Sequence, residues 1–230
     1  IMDCTEDYAL LALMGPDAGR IAEQSGAPDL AILGYFKHAP ARLAGCDVRA
    51  ARLSYVGEAG WEITCAWRDA RTIFAALTKA GAKPAGLFAQ ASMRIEKGFC
   101  AMGHELDSDT SPIEAGLSAM TRQAGGYIGA EALAARRDDG ARATIVSIVL
   151  DNEAAVPLGH EPIYRDGTII GQTTSSAFGY RIGKPVALAH LKAPVSDATR
   201  IAIDIAGVQY DATVTTGALF DPAGARMKPE

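Results

Sequence analysis

The sequence lacks the residue patterns that mark several common binding functions. Its 230 residues carry a net charge of −5, and the densest basic cluster is only the pair Arg136 and Arg137. The four cysteines have no C-x-x-C spacing, and no two of the four histidines are four residues apart. These absences argue against a nucleic-acid partner, a metal site and a disulfide framework. The cysteines are therefore interpreted as free thiols.

The sequence also has little that indicates a membrane or a nucleotide. No apolar run approaches the roughly 20 residues of a membrane span, and no signal-peptide pattern opens the chain. P-loop, G-x-S-x-G and H-E-x-x-H motifs are absent, which argues against the common nucleotide-binding, serine-hydrolase and zinc-protease classes. We therefore expect a cytoplasmic protein with no membrane partner.

The first part of the chain alternates strand and helix patterns. Apolar runs predict strands over 8–14, 47–55 and 61–67, and helices are predicted after Pro16, over 68–81 and over 85–97. Up to residue 81 the order of these elements is β-α-β-β-α, which is most of a ferredoxin-like unit. The pattern therefore predicts an α+β fold.

From Ala143 onward the sequence consists of strand patterns separated by turns, including a hairpin at Asp166 and Gly167. Many short strands of this kind are typical of a small antiparallel barrel or sandwich. We place a domain boundary near 138–142, which predicts an N-terminal domain over 1–140 and a C-terminal β-barrel over 141–230.

The stretch RIEKGFCAMGHEL (94–106) draws attention to Glu96, in the last turn of a predicted helix. A carboxylate there faces the negative end of the helix dipole, which costs roughly 0.3–1 kcal/mol when exposed. One interpretation is a surface carboxylate paired with Arg94 or Lys97. The other is a partly buried carboxylate that accepts two parallel N–H bonds from a planar heterocycle, such as a 2-amino-4-oxo-pyrimidine edge.

The segment TTSSAFGYRIGK (173–184) is the second candidate site, and it is interpreted as a loop. It combines hydroxyls, two aromatic rings and two cations, which suits an aromatic acid. Phe178 or Tyr180 would contact the ring, and Arg181 or Lys184 would lie near the carboxylate. The alternative is an ordinary hairpin connection.

Four long segments resemble the aminomethyltransferase (glycine cleavage T-protein) family. They are RLSYVGEAGWEI (52–63), MRIEKGFCAMGHELDSDTSPIEAGL (93–117), GHEPIYRDGTIIGQTTSSAFGYRIGKPVALAHL (159–191) and YDATVTTGALFDPAG (210–224). EKG, HEPIYRDG and YRIGKPVAL are most similar to the folate-binding C-terminal region of dimethylglycine and sarcosine dehydrogenases. Met102 stands where relatives often have an aromatic residue, and Ser176 stands where a glycine is common.

The resemblance implies a ferredoxin-like lobe, a C-terminal β-barrel and a channel that holds tetrahydrofolate. In the family motif R-[LI]-E-[AK]-G the glutamate is expected to hold the pterin edge, and that residue here is Glu96. The resemblance further implies folate contacts from Tyr55, Ser175, Phe178, Tyr180 and Arg181. From the residues alone, Tyr55 is most simply a core aromatic and Glu58 a turn residue.

The implied activity is one-carbon transfer within an FAD-dependent N-methylamine dehydrogenase, forming 5,10-methylenetetrahydrofolate. Its partners would be folate, a methylated amine or its iminium, and an upstream flavin domain that carries the FAD. The catalytic aspartate is expected upstream of Ile1, so the isolated chain is expected to be inactive. The alternatives are a stand-alone aminomethyltransferase of the glycine cleavage system and a non-catalytic folate-binding module.

Overall fold

The structure is a computed structural model that describes residues 1–122, 124–140 and 142–228. The chain forms two compact units, one made of residues 1–90 with the C-terminal residues from 223, and one made of residues 91–222. Helices and antiparallel sheets occur together, which confirms the α+β class. The domain boundary near 138–142 stays a prediction.

The first unit is built on a four-stranded antiparallel sheet in the order β1-β4-β3-β2. Its strands and helices are β1 (Tyr8–Met14), α1 (Ala18–Gln24), β2 (His38–Leu43), β3 (Cys46–Ala51), β4 (Gly60–Ala66) and α2 (Ala70–Lys79). Alternation along the strands turns Leu13, Val48 and Ile63 to one face, where they pack with Ile21 of α1 and Ile73 of α2. This cluster is the core of the unit.

One strand of this sheet was not predicted from the sequence. β2 has the sequence HAPARL, in which two alanines and a proline replace the β-branched residues typical of strands. The proline is tolerated because β2 lies at the edge of the sheet, where a missing N–H breaks no central ladder. The strand predicted over 47–55 is also shorter, since β3 ends at Ala51.

A third helix, α3 (Leu87–Glu96), confirms the helix predicted over 85–97. Gly98 lies just beyond its end with a φ of +72°, a left-handed conformation that glycine adopts without strain. The rest of the second unit contains α4 (Ala130–Asp139) and β5 (Thr144–Leu150), β6 (Pro162–Arg165), β7 (Thr168–Gly179), β8 (Lys184–Leu191), β9 (Arg200–Ile205) and β10 (Val208–Thr215).

The six strands β5 to β10 form a closed barrel in the order β10-β5-β8-β7-β6-β9, which confirms the predicted barrel. Asp166 and Gly167 connect β6 to β7 with φ values of +51° and +75°, as a two-residue hairpin turn requires. Aliphatic side chains such as Ile148, Leu150 and Ile203 fill the barrel core. Closure leaves no unpaired sheet edge.

The structure also bears on the cysteines, metals and membranes considered above. Cys4, Cys46, Cys65 and Cys100 are free thiols. Among the described residues, no three His, Cys, Asp or Glu side chains are grouped as metal ligands. No helix in the described part of the chain combines the length and the apolar character needed to cross a membrane.

We predict that Gly171→Ala destabilises the protein by roughly 1–3 kcal/mol, because an added methyl overpacks the contact between β7 and β8. A Cβ atom on Gly171 would lie 2.1 Å from the His190 carbonyl oxygen. Gly217→Ala is the matched control, since the structure describes no heavy atom within 4 Å of its added methyl. Urea unfolding midpoints measure both variants, and equal midpoints would contradict the packing argument.

Candidate functional site

Three charged residues lie at the C-terminal end of α3, and all are buried. Arg94, Glu96 and Lys97 are 4%, 0% and 5% exposed. Buried charges are costly unless each is paired and hydrogen-bonded. Each of the three has a different partner within the second unit, so the interpretation of Glu96 as a surface carboxylate paired with Arg94 or Lys97 is wrong.

Glu96 is held by Arg181, which lies in the turn between β7 and β8. The Oε1 atom of Glu96 accepts the backbone N–H of Arg181 at 2.7 Å, and Oε2 accepts the Nε–H of the same residue. Arg181 Nη2 also donates to the Met93 carbonyl at 2.7 Å. A cation therefore lies at the negative end of the α3 dipole, which offsets the unfavourable placement of the carboxylate.

The C-terminal segment around Phe220 completes the surroundings of the helix end. The Phe220 N–H donates to the Glu96 carbonyl at 2.9 Å, and the Arg181 guanidinium lies 3.7 Å from the centre of the Phe220 ring. Lys97 Nζ lies 3.1 Å from Asp221 Oδ2 and also donates to the Asp221 carbonyl. The Glu96 carbonyl, which the helix leaves unpaired, is thus satisfied by this segment.

Arg94 belongs to a second buried network, centred on Glu105. Arg94 Nη1 donates to Glu105 Oε2 at 2.8 Å, and Nη2 donates to Ser175 Oγ at 2.7 Å. Glu105 Oε1 accepts the Thr174 hydroxyl at 2.7 Å, and Oε2 accepts the Ala101 N–H at 2.9 Å. This network links α3 to β7 and to the loop after the helix.

The network keeps the Glu105 carboxylate ionised. Burial raises the pKa of Glu105. The opposite effect is larger and holds the pKa below its ordinary value of 4.5: it comes from hydrogen bonds with Ser175, Thr174 and the Ala101 N–H and from the charge of Arg94. Glu105 was not singled out from the sequence, although it lies in the quoted stretch 94–106. A carboxylate so tightly bonded is a structural residue.

Cys100 is a further group in this stretch that is protonated at neutral pH. Burial, with the nearby charge of Glu105, raises the pKa of the Cys100 thiol to about 11, and Arg94 offsets this only in part. The thiolate is the nucleophilic form of cysteine. Cys100 is therefore not arranged to act as a nucleophile.

The segment 173–184 was predicted to be a loop, and this is wrong. Residues up to Gly179 belong to β7, the turn is 180–183, and β8 begins at Lys184. Ser92 Oγ donates to the Phe178 carbonyl at 2.7 Å, which attaches this hairpin to α3. The rings of Phe178 and Tyr180 meet edge to face at 5.2 Å, and Tyr180 is 80% exposed.

The second unit thus brings Glu96 and Arg181 together, and it places Ser175 in the Arg94 network. Phe178 is attached to α3 through Ser92 and meets the ring of Tyr180. Tyr55 belongs to the first unit, where it is half-buried rather than a core aromatic.

Glu58 is not only a turn residue. It is buried, and its two oxygens accept Arg226 Nε at 3.0 and 2.9 Å. These two residues are far apart in sequence, so no local pattern reveals the pair.

Two family models match the chain, one on each side of residues 125–143. The family model described as "GCVT N-terminal domain" matches residues 1–124, and "Glycine cleavage T-protein C-terminal barrel domain" matches residues 144–221. Mitochondrial dimethylglycine dehydrogenase from Mus musculus is 29% identical over the whole chain. An aminomethyltransferase from Rubrobacter xylanophilus is 35% identical over 83% of the chain.

A solved structure agrees with the fold. The glycine cleavage system aminomethyltransferase T from Bartonella henselae superposes with a TM-score of 0.85 at 25% identity, covering 94% of the chain and 60% of that protein. The chain spans 28% of the length of the mouse dehydrogenase and 52% of the Rubrobacter protein. It therefore corresponds to part of each of these relatives.

We predict that Glu105→Gln destabilises the protein by about 3–5 kcal/mol at neutral pH, because it leaves Arg94 buried without its counter-charge. The lowered pKa of Glu105 gives a stabilisation that is present above pH 4.5 and is lost as the pH falls below it. The stability gap between the wild type and the variant should therefore narrow below pH 4.5.

Chemical denaturation over a pH series measures this gap. The exposed Glu153→Gln change is the matched control and should show no gap at any pH. A gap for Glu105→Gln that stays constant through the acid range would show that ionisation of Glu105 is not what stabilises the network.

Proposed function

The chain belongs to the glycine cleavage T-protein family, which is tetrahydrofolate-dependent, and we propose that it is the folate-binding, one-carbon-transfer portion of a dehydrogenase. The parent enzyme would be an FAD-dependent N-methylamine dehydrogenase of the dimethylglycine or sarcosine type. The whole-chain alignment with the mouse dehydrogenase supports this choice over the shorter alignment with the bacterial aminomethyltransferase. FAD would bind to a separate flavin domain.

The observation that carries the proposal is that family models of the T-protein match both parts of the chain, residues 1–124 and 144–221. The Glu96 carboxylate is fully buried, and its two oxygens already accept the backbone N–H and the Nε–H of Arg181. A pterin edge also presents two adjacent donors, so as the proposed pterin anchor Glu96 would exchange the Arg181 side chain for the pterin.

Other residues would contact the remaining parts of folate. The exposed ring of Tyr180, backed by Phe178, offers an aromatic surface close in sequence to Arg181. Ser175 would act through the Arg94 network rather than by free hydrogen bonding, because its hydroxyl is already engaged. Tyr55 stays a predicted folate contact from the first unit.

Bound tetrahydrofolate supplies the nucleophilic nitrogen that accepts the one-carbon unit. Glu96 fixes the orientation of the ring, which raises the effective concentration of the reacting groups. The three buried ion pairs around α3 keep this anchor in one conformation and away from bulk water. Formation of 5,10-methylenetetrahydrofolate and a catalytic aspartate upstream of Ile1 stay predictions.

A stand-alone aminomethyltransferase is the second candidate, and the higher identity to the Rubrobacter protein favours it. Both candidates use the same folate site but receive the one-carbon unit from different donors: an oxidised methylamine in the dehydrogenase, and a carrier-bound aminomethyl group in the transferase. The third alternative is a module that binds folate without turnover.

We predict that Glu96→Gln weakens tetrahydrofolate binding by about 2–3 kcal/mol, because glutamine replaces one charged acceptor by a donor that faces the pterin N–H groups. Isothermal titration calorimetry of the intact parent protein measures the change. Glu153→Gln is again the matched control and should bind as the wild type does. Unchanged affinity in a folded Glu96→Gln protein would reject the anchor.

We also predict that the intact parent protein converts formaldehyde and tetrahydrofolate to 5,10-methylenetetrahydrofolate faster than the uncatalysed reaction. The physical reason is that a held folate meets the one-carbon unit in a fixed orientation. Absorbance of the product measures the rate. A parent protein that binds folate but adds nothing to the background rate would favour the non-catalytic module.

A further inference from the structure

The barrel has a cavity on its outer face. Side chains of β8 alternate between the two faces of the barrel: Ala189 and Leu191 belong to the core, so His190 turns outward. Gln172 of β7 pairs with His190 and lies on the same outer face. Together with Lys192, these two side chains line a cavity of about 500 Å³, a volume that small-molecule sites commonly have.

The loop 103–110 forms one wall of this cavity and carries negative charge. Asp107 Oδ1 accepts the N–H groups of Asp109 and Thr110 at 2.9 and 2.8 Å. A hydrogen bond from the Thr110 side chain and these two backbone bonds hold the pKa of Asp107 below its ordinary value, so its carboxylate is ionised at neutral pH. Asp109 lines the same wall, and its carboxylate has no partner within the part of the chain that the structure describes.

A second wall presents His160 in an uncommon backbone conformation. Its φ of +69° is a left-handed value that residues other than glycine rarely adopt. β7 fixes this conformation, because the His160 N–H donates to the Thr173 carbonyl at 2.8 Å and the Thr173 N–H donates to the Glu161 carbonyl at 2.9 Å. The His160 side chain is exposed and lines the cavity. Strained residues that the surrounding structure holds in place concentrate at ligand-binding sites.

His190 is fixed in one tautomer. Its Nε2 atom lies 3.1 Å from the Glu105 carbonyl oxygen, which accepts hydrogen bonds and cannot donate them. Nε2 therefore carries a hydrogen, and in the neutral ring Nδ1 is an acceptor. His190 thus offers a ligand a hydrogen-bond acceptor in addition to the carboxylates of the wall.

The charges of the lining indicate the class of ligand. The carboxylate of Glu114 is already engaged, since it accepts the Ser111 hydroxyl and N–H at 2.7 and 2.9 Å. The charges that face the cavity without such a bond across the lining are then the aspartates on one side of the balance and Lys192 on the other. A simple anion would be repelled by Asp107 and Asp109, and a simple amine by Lys192. A molecule with one charge of each sign is complementary to both.

We propose that this cavity binds a free aliphatic α-amino acid. Its ammonium group would lie against Asp107 and Asp109, and its carboxylate against Lys192 and His160. The aliphatic side chain would cover Ile169, which lines the cavity and is 59% exposed. The inference uses none of the proposed folate contacts, so it can fail or succeed independently of the proposed function.

Nuclear magnetic resonance of the histidine rings in the full 230-residue chain tests whether the cavity is occupied. His104, His160 and His190 line the cavity, whereas His38 lies in β2 of the first unit and is an internal control. With L-leucine as the probe, we expect saturable shifts of the three cavity histidines and none of His38. Equal shifts of all four rings, or no shift of any, would overturn the inference.

Two half-ligands test the charge argument in the same titration. 3-Methylbutylamine is leucine without the carboxylate, and 4-methylpentanoate is leucine without the ammonium group. Each should bind about three- to tenfold more weakly than leucine, as for the loss of one ion pair at a partly exposed site. A half-ligand that binds as tightly as leucine would rule out recognition of an amino acid.

Two variants assign the two ends of the ligand. Lys192→Met should weaken binding of leucine and of 4-methylpentanoate about three- to tenfold without weakening binding of the amine. Asp107→Asn should weaken binding of leucine and of the amine by a similar factor without weakening binding of the acid. Asparagine keeps an oxygen that accepts the N–H groups of Asp109 and Thr110, so the loop is retained.

The matched controls lie in the same unit and outside the cavity. Asp204 Oδ1 accepts the Gly207 N–H at 2.8 Å, so Asp204→Asn removes a charge from a similar turn. Lys184→Met removes a lysine at the first residue of β8. Both controls should bind leucine as the wild type does. Leucine affinity that is unchanged in either Lys192→Met or Asp107→Asn would overturn the inference.

Discussion

The burial of three charges at the end of α3 is the constraint on which the second unit depends. Arg94, Glu96 and Lys97 occupy the last turn or the residue after it, and water reaches none of them freely. Each charge requires a counter-charge, and each counter-charge comes from a different part of the chain. The loop after α3, the β7–β8 turn and the segment after β10 are therefore positioned by one helical turn.

These ion pairs surround a small apolar cluster, in which Ile95 of α3 packs on Val186 and Leu188 of β8. Removing one member of a buried ion pair is more costly than never having formed the pair, because the remaining charge stays desolvated. The ion pairs of Arg94, Glu96 and Lys97 lie at the end of one helix and are therefore coupled. Their contributions to the free energy of unfolding do not simply add. Glu96 is thereby held in a single position by its ion pair with Arg181 and by the hydrogen bonds that its neighbours donate to backbone carbonyls.

Much of the fold follows from local patterns in the sequence. Apolar periodicity identified β1, β4, α2 and α3, and the Asp166-Gly167 pair identified a hairpin of the barrel. β2 was not predicted because its alanines and Pro40 carry no strand signal. Its place in the sheet depends on pairing with β3. Local propensity cannot detect a strand whose stability comes from its neighbour.

The candidate site was predictable only in part, and for a related reason. The electrostatic mismatch at Glu96 indicated a missing partner, but nothing local indicated that the partner is Arg181, 85 residues away. Glu105 and Asp221 were missed because each becomes important only when folding places it beside Arg94 or Lys97. Long-range charge pairing is a property of the fold and leaves little trace in the spacing of residues.

The segment 221–226 supplies a counter-charge to each of the two units. Asp221 neutralises Lys97 in the second unit, and Arg226 neutralises Glu58 in the first. A frameshift or protease cut that removes this short stretch would thus deprive two separate cores of a counter-ion in one event. Residues 221 and 226 should therefore tolerate substitution as poorly as residues of a buried core do.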